Sequence, residues 1–284
     1  MRRPLEMLII DDETEYVESL YRDAQRSQIL LTHKRILDDA KLFLKSDKAI
    51  KISGVILDVV GQKSEDQEVA KSSFITAAIN YFDKEHPQLP IAILTGVEER
   101  YNELSKLYEG TKKVYSKGRD EEEMLSYLKG EALNLNWVKT INKYKDIFEI
   151  VEEFFNTETK EALIYCLSNL KTPDNTQIKD NLVGIRRLQE KIYIALNKKK
   201  PDWVPKKFIE DDVKVRDILK HLREGEYVDR KTNDFAYAIY TVCSDYGAHT
   251  QNHTQGSTVS KYTVHTIAYA LLDLFLWFKE VVND

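Results

Sequence analysis

Through residues 1–133, short apolar runs alternate with longer stretches whose apolar residues recur at the spacing of one helix face. The run 54–60, GVILDVV, is apolar at almost every position, which is typical of a strand buried on both faces. Further strands are predicted at 5–10, 29–32, 90–95 and 113–116, and helices from residue 14, around 40–44 and at 69–82, 98–108 and 120–133. This alternation predicts an α/β domain with a doubly wound sheet of five parallel strands.

From residue 134 the strand signals end, and apolar residues recur at helical spacing through the rest of the chain. The predicted helices cover 137–156, 160–170, 178–196, 213–222, 235–246 and 258–282. We therefore divide the chain into an α/β domain, 1–133, and an all-α domain, 134–284. The last predicted helix carries Leu272, Leu276 and Trp277 outside its main apolar stripe, so a homodimer interface is an expectation for this helix.

Composition narrows the class of protein. The 284 residues suffice for two domains, and a content of 42% hydrophobic and 31% charged residues is typical of a globular protein. The net charge of −5, with basic side chains scattered among acids, argues against a DNA partner. Cys166 and Cys243 lack metal-ligand spacing, which indicates reduced thiols and a cytoplasmic protein. No run approaches the roughly 18 apolar residues of a membrane span, so no membrane is expected.

Polar residues stand where four of the predicted strands end. Asp11 and Asp12 follow the first strand, Asp58 lies near the end of the third, Thr95 ends the fourth, and Lys117 follows the fifth. Because strands one and three are neighbours in the 2-1-3-4-5 order of flavodoxin-like folds, these side chains would meet at one edge of the sheet. Carboxylates so close together repel one another, and Mg²⁺ relieves the repulsion while it keeps waters and a phosphate oxygen as ligands.

These residues, in this order and each at a strand end, resemble the receiver domain of two-component response regulators over about residues 5–130. The separation of Thr95 from Lys117 also resembles that of the family. The resemblance implies that Asp58 accepts a phosphoryl group from a histidine kinase or another phosphodonor. It also implies that Thr95 contacts this group and that Lys117 pairs with its charge. The domain would catalyse only its own phosphorylation and dephosphorylation, and would regulate the helical output domain rather than act as an enzyme.

The same resemblance implies Mg²⁺ as the cofactor. Asp11, Asp12 and Asp58 would bind the ion through their carboxylates, and Val60 would bind it through its main-chain carbonyl. An all-oxygen set of this kind suits a hard divalent cation.

Two of the departures from the family pattern lie beside Lys117. The residue three before Lys117 is usually aromatic and here is Val114, with Tyr115 next to it. Gly118 follows the lysine, where the family often has proline. The departures put the family's usual aromatic–threonine switch in question and leave the phosphoryl chemistry as the expectation.

One segment of the helical domain, 243–253 (CSDYGAHTQNH), is polar between two apolar stretches and is predicted to be a loop. Its G-x-H turn resembles the C-terminal helical domains of abortive-infection proteins, which are similar to HEPN-type folds. In nuclease members an arginine shortly before the histidine completes the site for attack by the RNA 2′-hydroxyl, whereas residues 242–244 here are Val, Cys and Ser. Because no arginine stands there, the capping of neighbouring helix ends is the favoured role of Asp245 and His249, and a second site with these candidate residues is the alternative.

Three hypotheses follow from the sequence. The leading one is a response regulator with a phospho-acceptor domain and a helical output domain. The second, from another class, is an RNA-cleaving effector of the phage-defence type whose receiver-like half is regulatory. The third is a non-enzymatic adaptor whose helical half binds a protein partner or a second copy of the chain.

Overall fold

The computed structural model describes residues 4–46, 49, 51–59, 73–248 and 259–283. The chain divides into two compact units, Met1–Asn142 and Lys143–Asp284. The first unit contains a five-stranded sheet with helices, and the described part of the second unit is helical. Among the described residues, no helix has the combination of length and apolar character that crossing a membrane requires.

The first unit alternates strands with helices, and its strands agree with the apolar runs to within a few residues. The strands are β1 (Leu5–Ile10), β2 (Ile29–Lys34), β3 (Ile52–Asp58), β4 (Ile91–Thr95) and β5 (Lys113–Ser116). The helices are α1 (Thr14–Arg26), α2 (Leu37–Leu44), α3 (Ser73–Glu85), α4 (Glu98–Leu107), α5 (Glu121–Asn134) and α6 (Asn136–Lys143). The first residues of the predicted helix 69–82 lie outside the described residues.

The sheet has the predicted strand order, β2-β1-β3-β4-β5, and all of its neighbouring strands are parallel. Strands β3 and β4 are buried along their whole length, as expected for apolar runs that are covered on both faces. Alternate residues of β1 enter different cores because successive side chains point to opposite faces of a sheet. Leu8 and Ile10 pack with α2 and α3, whereas Met7 and Ile9 pack with α1 and α5.

This topology brings the carboxyl ends of the strands to one edge of the sheet. In the register, Ile10 pairs with Leu57, Asp58 pairs with Leu94, and Thr95 pairs with Ser116. The ladder continues past the strand ends, since the amide of Val59 donates to the Leu94 carbonyl at 3.1 Å. Residues that directly follow β1, β3, β4 and β5 are therefore held near one another by main-chain hydrogen bonds.

Helix α6 lies beyond the predicted boundary at residue 133 and packs with the first unit. Val138 is buried in the core that contains α1 and α5, and Trp137 packs against the same core. The predicted helix 137–156 is interrupted at Tyr144, so it forms two separate helices. This interruption corrects the prediction of one continuous helix.

The second unit consists of six described α-helices. They are α7 (Lys145–Phe154), α8 (Thr157–Ser168), α9 (Asn175–Lys199), α10 (Val215–Glu224), α11 (Arg230–Cys243) and α12 (Lys261–Asn283). Helix α12 contributes the central aromatic residues: the ring of Phe275 lies 5.4 Å from that of Phe155, and the ring of Phe278 lies 5.5 Å from that of Phe154. Leu272 and Trp277 are buried within the chain itself and Leu276 is half-buried, and the homodimer interface stays a prediction.

The prediction that segment 243–253 is a loop is wrong for its first half. Ser244–Ala248 form a π-helical turn that follows α11 directly. This turn packs against α9 and α11, and such packing outweighs the local preference of Ser, Asp and Gly for turns. The remainder of the segment, from His249, lies outside the described residues.

Candidate functional site

Two buried carboxylates form the centre of the site. Asp11 follows β1 and Asp58 ends β3, and these residues are 1% and 7% exposed. The amide of Asp11 donates to the Lys34 carbonyl at 3.1 Å, which continues the pairing of β1 with β2. Oδ1 of Asp58 accepts a hydrogen bond of 2.9 Å from the amide of Val59. Both side chains are thus fixed by the ends of neighbouring strands.

Asp12 completes a group of three acids. Carboxylate oxygens of Asp11, Asp12 and Asp58 all lie within 4.8 Å of one another. Asp12 is half-buried, so the group opens towards solvent on its side. A group of this size matches the carboxylate oxygens that a hard divalent cation prefers.

Lys117 brings a positive charge into this acidic group. Its amide donates to the Thr95 carbonyl at 2.8 Å, which places the residue directly after β5 at the same edge of the sheet. Its Nζ lies 2.8 Å from Oδ2 of Asp11 and 3.4 Å from Oδ1 of Asp58. Only 11% of the side chain is exposed. The structure therefore brings together the acidic residues and the lysine that the sequence placed far apart.

Glu13 is a further member of the site that the sequence reasoning missed. Its carboxylate oxygen Oε2 lies 3.3 Å from Nζ of Lys117, and its amide donates to Oδ1 of Asp11 at 2.9 Å. The signal was present in the sequence, because Glu13 is the third acid in the run Asp11-Asp12-Glu13. The prediction took only the first two of these acids as functional.

The charges in this group shift each other's pKa. Burial and, to a smaller extent, the nearby charge of Asp11 raise the pKa of Asp58, and Lys117 opposes them, so that the pKa is about 7. Burial lowers the pKa of Lys117, but the charges of Asp58 and Asp11 outweigh this effect, so that the pKa is raised. Lys117 is therefore a stable cation, and it does not neutralise the whole acidic group. The donor set and the remaining negative charge both fit a divalent cation.

Thr95 lies at the same edge and is buried. Its Oγ1 accepts a hydrogen bond of 3.2 Å from the amide of Val97, and its carbonyl accepts the amide of Lys117. Tyr115, which follows the position where the family usually has its aromatic switch, is 3% exposed. Its ring packs 6.2 Å from the ring of Tyr127. Tyr115 is thus a core residue in this structure.

Tyr16 is the second residue that the sequence reasoning did not assign to the site. Nζ of Lys117 lies over its ring, 4.5 Å from the ring centre. Its hydroxyl donates to Oε1 of Glu121 at 2.9 Å, and the same oxygen accepts the amide of Gly118. The pattern of α1 identified Tyr16 only as an apolar position on a helix face, because periodicity cannot show what lies beyond the helix.

Several predicted residues are not placed by the structure. Val60 and His249 lie outside the described residues. Asp245 is half-buried in the π-helical turn after α11. The RNA-cleaving and adaptor hypotheses consequently stay predictions.

Comparisons with known proteins leave the function to be argued from the site. No family model matches the chain, and no curated protein matches it. The feature that bears on function is the meeting of five side chains at the edge of a parallel sheet: Asp11, Asp12, Asp58, Thr95 and Lys117.

Proposed function

We propose that the first unit is a receiver-type phospho-acceptor domain and that its modification regulates the helical second unit. A histidine kinase or another phosphodonor would supply the phosphoryl group, and Asp58 would accept it. The observation that carries this proposal is the position of Lys117, whose Nζ lies within 3.4 Å of Asp58 and within 2.8 Å of Asp11. A buried acid with a lysine beside it can hold a transferred anion that neither residue could hold alone.

The chemistry assigned to Asp58 is nucleophilic attack on phosphorus. A carboxylate oxygen forms the new O–P bond while the bond from phosphorus to the donor breaks, and the donor leaves with the electron pair. Oδ1 of Asp58 accepts the Val59 amide and faces Lys117, so we assign the attack to Oδ2. The end of β3 fixes the carboxylate, which allows the donor to approach in line.

The remaining residues would balance charge. Lys117 would pair with an oxygen of the phosphoryl group, and the Thr95 hydroxyl would donate to another. Asp11, Asp12 and Asp58 would hold Mg²⁺, which when bound supplies positive charge against the three carboxylates and the phosphoryl oxygens. Such fixed charges stabilise the transition state because they need no rearrangement during the reaction.

The test is modification by a small phosphodonor. We expect the full chain, incubated with acetyl phosphate and Mg²⁺, to gain the mass of one phosphoryl group, and to bind beryllofluoride in the presence of Mg²⁺. Asp58→Asn should abolish both results, whereas Asp39→Asn, at an exposed aspartate of α2, should leave both intact. Wild-type protein that gains no mass and binds no fluoride would remove the proposal.

A further inference from the structure

The ammonium group of Lys117 has more than one acidic partner. It lies 2.8 Å from Asp11, 3.3 Å from Glu13 and 3.4 Å from Asp58. A lysine side chain is flexible and its charge has no preferred direction, so three acids alone do not define where the ammonium sits. A further contact has to select its position.

The ring of Tyr16 provides such a contact. The ammonium lies over the face of this ring at 4.5 Å from its centre, which is within the range of a cation–π interaction. Tyr16 belongs to the first turn of α1, and α1 starts just after the acidic residues that follow β1. Helix α1, and not a strand of the sheet, therefore brings the ring to Lys117.

The hydroxyl of Tyr16 fixes the ring in turn. It donates to Oε1 of Glu121 at 2.9 Å, and Glu121 is the first residue of α5. The same carboxylate oxygen accepts the amide of Gly118, which is the residue after Lys117. Burial, the hydrogen bond to Glu121, and the charges of Glu121, Asp11 and Asp58 all raise the pKa of Tyr16. The hydroxyl thus stays protonated and remains a donor.

We infer that Tyr16 is a positioning residue of the phospho-acceptor site: its ring holds the Lys117 ammonium beside Asp58, and its hydroxyl, through Glu121, ties that lysine to the start of α5. This inference rests on the proposed function of Asp58. Tyr16 is thus the aromatic residue that contacts Lys117. Tyr115 packs against Tyr127 in the core instead.

The first test does not depend on phosphorylation. Protons on the ε-carbon of Lys117 should show a ring-current shift in NMR spectra of ¹³C-lysine-labelled full chain, and the resonance is assigned by its loss in Lys117→Arg. The shift should persist in Tyr16→Phe, which keeps the ring, and vanish in Tyr16→Leu. Tyr21→Phe, in the same helix, is the matched control and should leave the shift unchanged. An unshifted resonance in the wild type would overturn the inference.

The second test measures the rate at which acetyl phosphate modifies Asp58. Tyr16→Leu should lower the maximal rate about fivefold, the size expected for one cation–π contact, with little change in the concentration of donor that gives half the maximal rate. In Tyr16→Phe the maximal rate should fall less, because this variant keeps the ring. Glu121→Ala should also lower the rate, whereas Glu122→Ala, at an exposed glutamate in the same turn, should not. A Tyr16→Leu rate equal to that of the wild type would overturn the inference.

The two proposals fail in different ways. If the wild type is not modified at Asp58 and binds no beryllofluoride, the proposed function is wrong. If the wild type is modified but neither the Tyr16 variants nor Glu121→Ala change its rate, only the positioning role is wrong. If circular dichroism shows that Tyr16→Leu does not fold, Tyr16→Phe and Glu121→Ala are compared with their controls instead. Unchanged rates in both variants would overturn the inference, and a lowered rate in either would support it.

Discussion

At the scale of single residues, the site is a small set of acids whose negative charge exceeds the positive charge placed among them. Lys117 is shared by Asp11, Glu13 and Asp58. Burial keeps solvent from screening the charges of Asp11, Asp58 and Lys117, so each of these groups strongly affects its neighbours, whereas Glu13 is exposed and contributes less. Two measurable consequences concern the protein without a bound cation.

The first consequence is that ionised Asp58 lowers the stability of the folded chain, to an extent that depends on pH. Its pKa is about 7 in the folded chain, whereas the pKa of an aspartate in an unfolded chain is about 3.9. Between these values the folded state binds more protons than the unfolded state, so the stability of the wild type falls as the pH rises from about 4 to about 7. In Asp58→Asn this loss is absent, and its advantage over the wild type should grow by up to about 4 kcal/mol across the window, because each pKa unit corresponds to about 1.4 kcal/mol.

The measurement is urea unfolding in EDTA at several pH values. Asp39→Asn, an exposed aspartate, controls for the removal of a negative charge as such. Parallel stability curves for the wild type and Asp58→Asn would show that burial does not perturb Asp58.

The second consequence concerns Lys117. Replacing it by Met leaves Asp11 and Asp58 buried without their cation, which should lower the free energy of unfolding at pH 8 by about 3 kcal/mol. Adding Asp58→Asn should restore part of this loss, because one of the unpaired charges is then gone. Lys106→Met, at an exposed lysine of α4, should have little effect. Additive effects in the double-mutant cycle, measured by urea unfolding, would contradict the coupling.

The residues whose meeting could be predicted were those that stand at or just after the end of a strand. Asp11, Asp58, Thr95 and Lys117 are recognisable because short apolar runs show where strands stop, and the sheet edge then brings them together. Glu13 and Tyr16 were missed because their roles depend on where their side chains lie in space. Tyr16 fits the apolar face of α1, and nothing along the chain shows that Lys117 lies over its ring.

At the scale of elements, strands were predicted better than interruptions in helices. Strands β3 and β4 are apolar runs covered on both faces, so burial and pattern agree. The π-helical turn Ser244–Ala248 packs against α9 and α11, and neither this turn nor the interruption at Tyr144 has a proline or glycine signal at its start. Helical periodicity continues through the interruption at Tyr144, which is why it suggested one long helix, whereas the polar residues of the π-helical turn suggested a loop.

The loop between β5 and α5 gives an element-scale prediction. Gly118 has a φ of +78°, which L-residues with a side chain rarely adopt. Gly118→Ala should therefore lower the free energy of unfolding by about 1 kcal/mol. Gly130→Ala, in an exposed position inside α5 with nothing near the added methyl group, should raise it by about 0.5–1 kcal/mol.

The two alanine variants are each other's control, and thermal or urea unfolding measures both. Equal signs would contradict the strained conformation assigned to Gly118.

At the scale of the whole molecule, the chain consists of two compact units, the first of which ends at Asn142, one residue before the end of α6. Val138 of α6 is buried with α1 and α5 in the core of that unit. We therefore expect a fragment of residues 1–142 to be more stable than a fragment of residues 1–133 by about 2 kcal/mol, the value of burying one such side chain.

Urea unfolding of the two fragments tests this expectation, and Val138→Ala in the longer fragment should reproduce part of the difference. Equal stabilities would show that α6 contributes nothing to the first unit. The sequence placed the boundary at residue 133 because the strand signals stop there, whereas the packing of Val138 cannot be read from periodicity alone.

The main chain and the side chain of Lys117 have different partners, and this determines which measurements would detect a change at Asp58. Its main-chain amide is held by Thr95, and only its long side chain reaches the acids. The ammonium can therefore exchange one oxygen partner for another while the peptide backbone of β4 and β5 stays in place. We expect spectroscopic probes on side chains to report modification of Asp58 at this edge of the sheet, and comparisons of Cα positions in these strands to register very little.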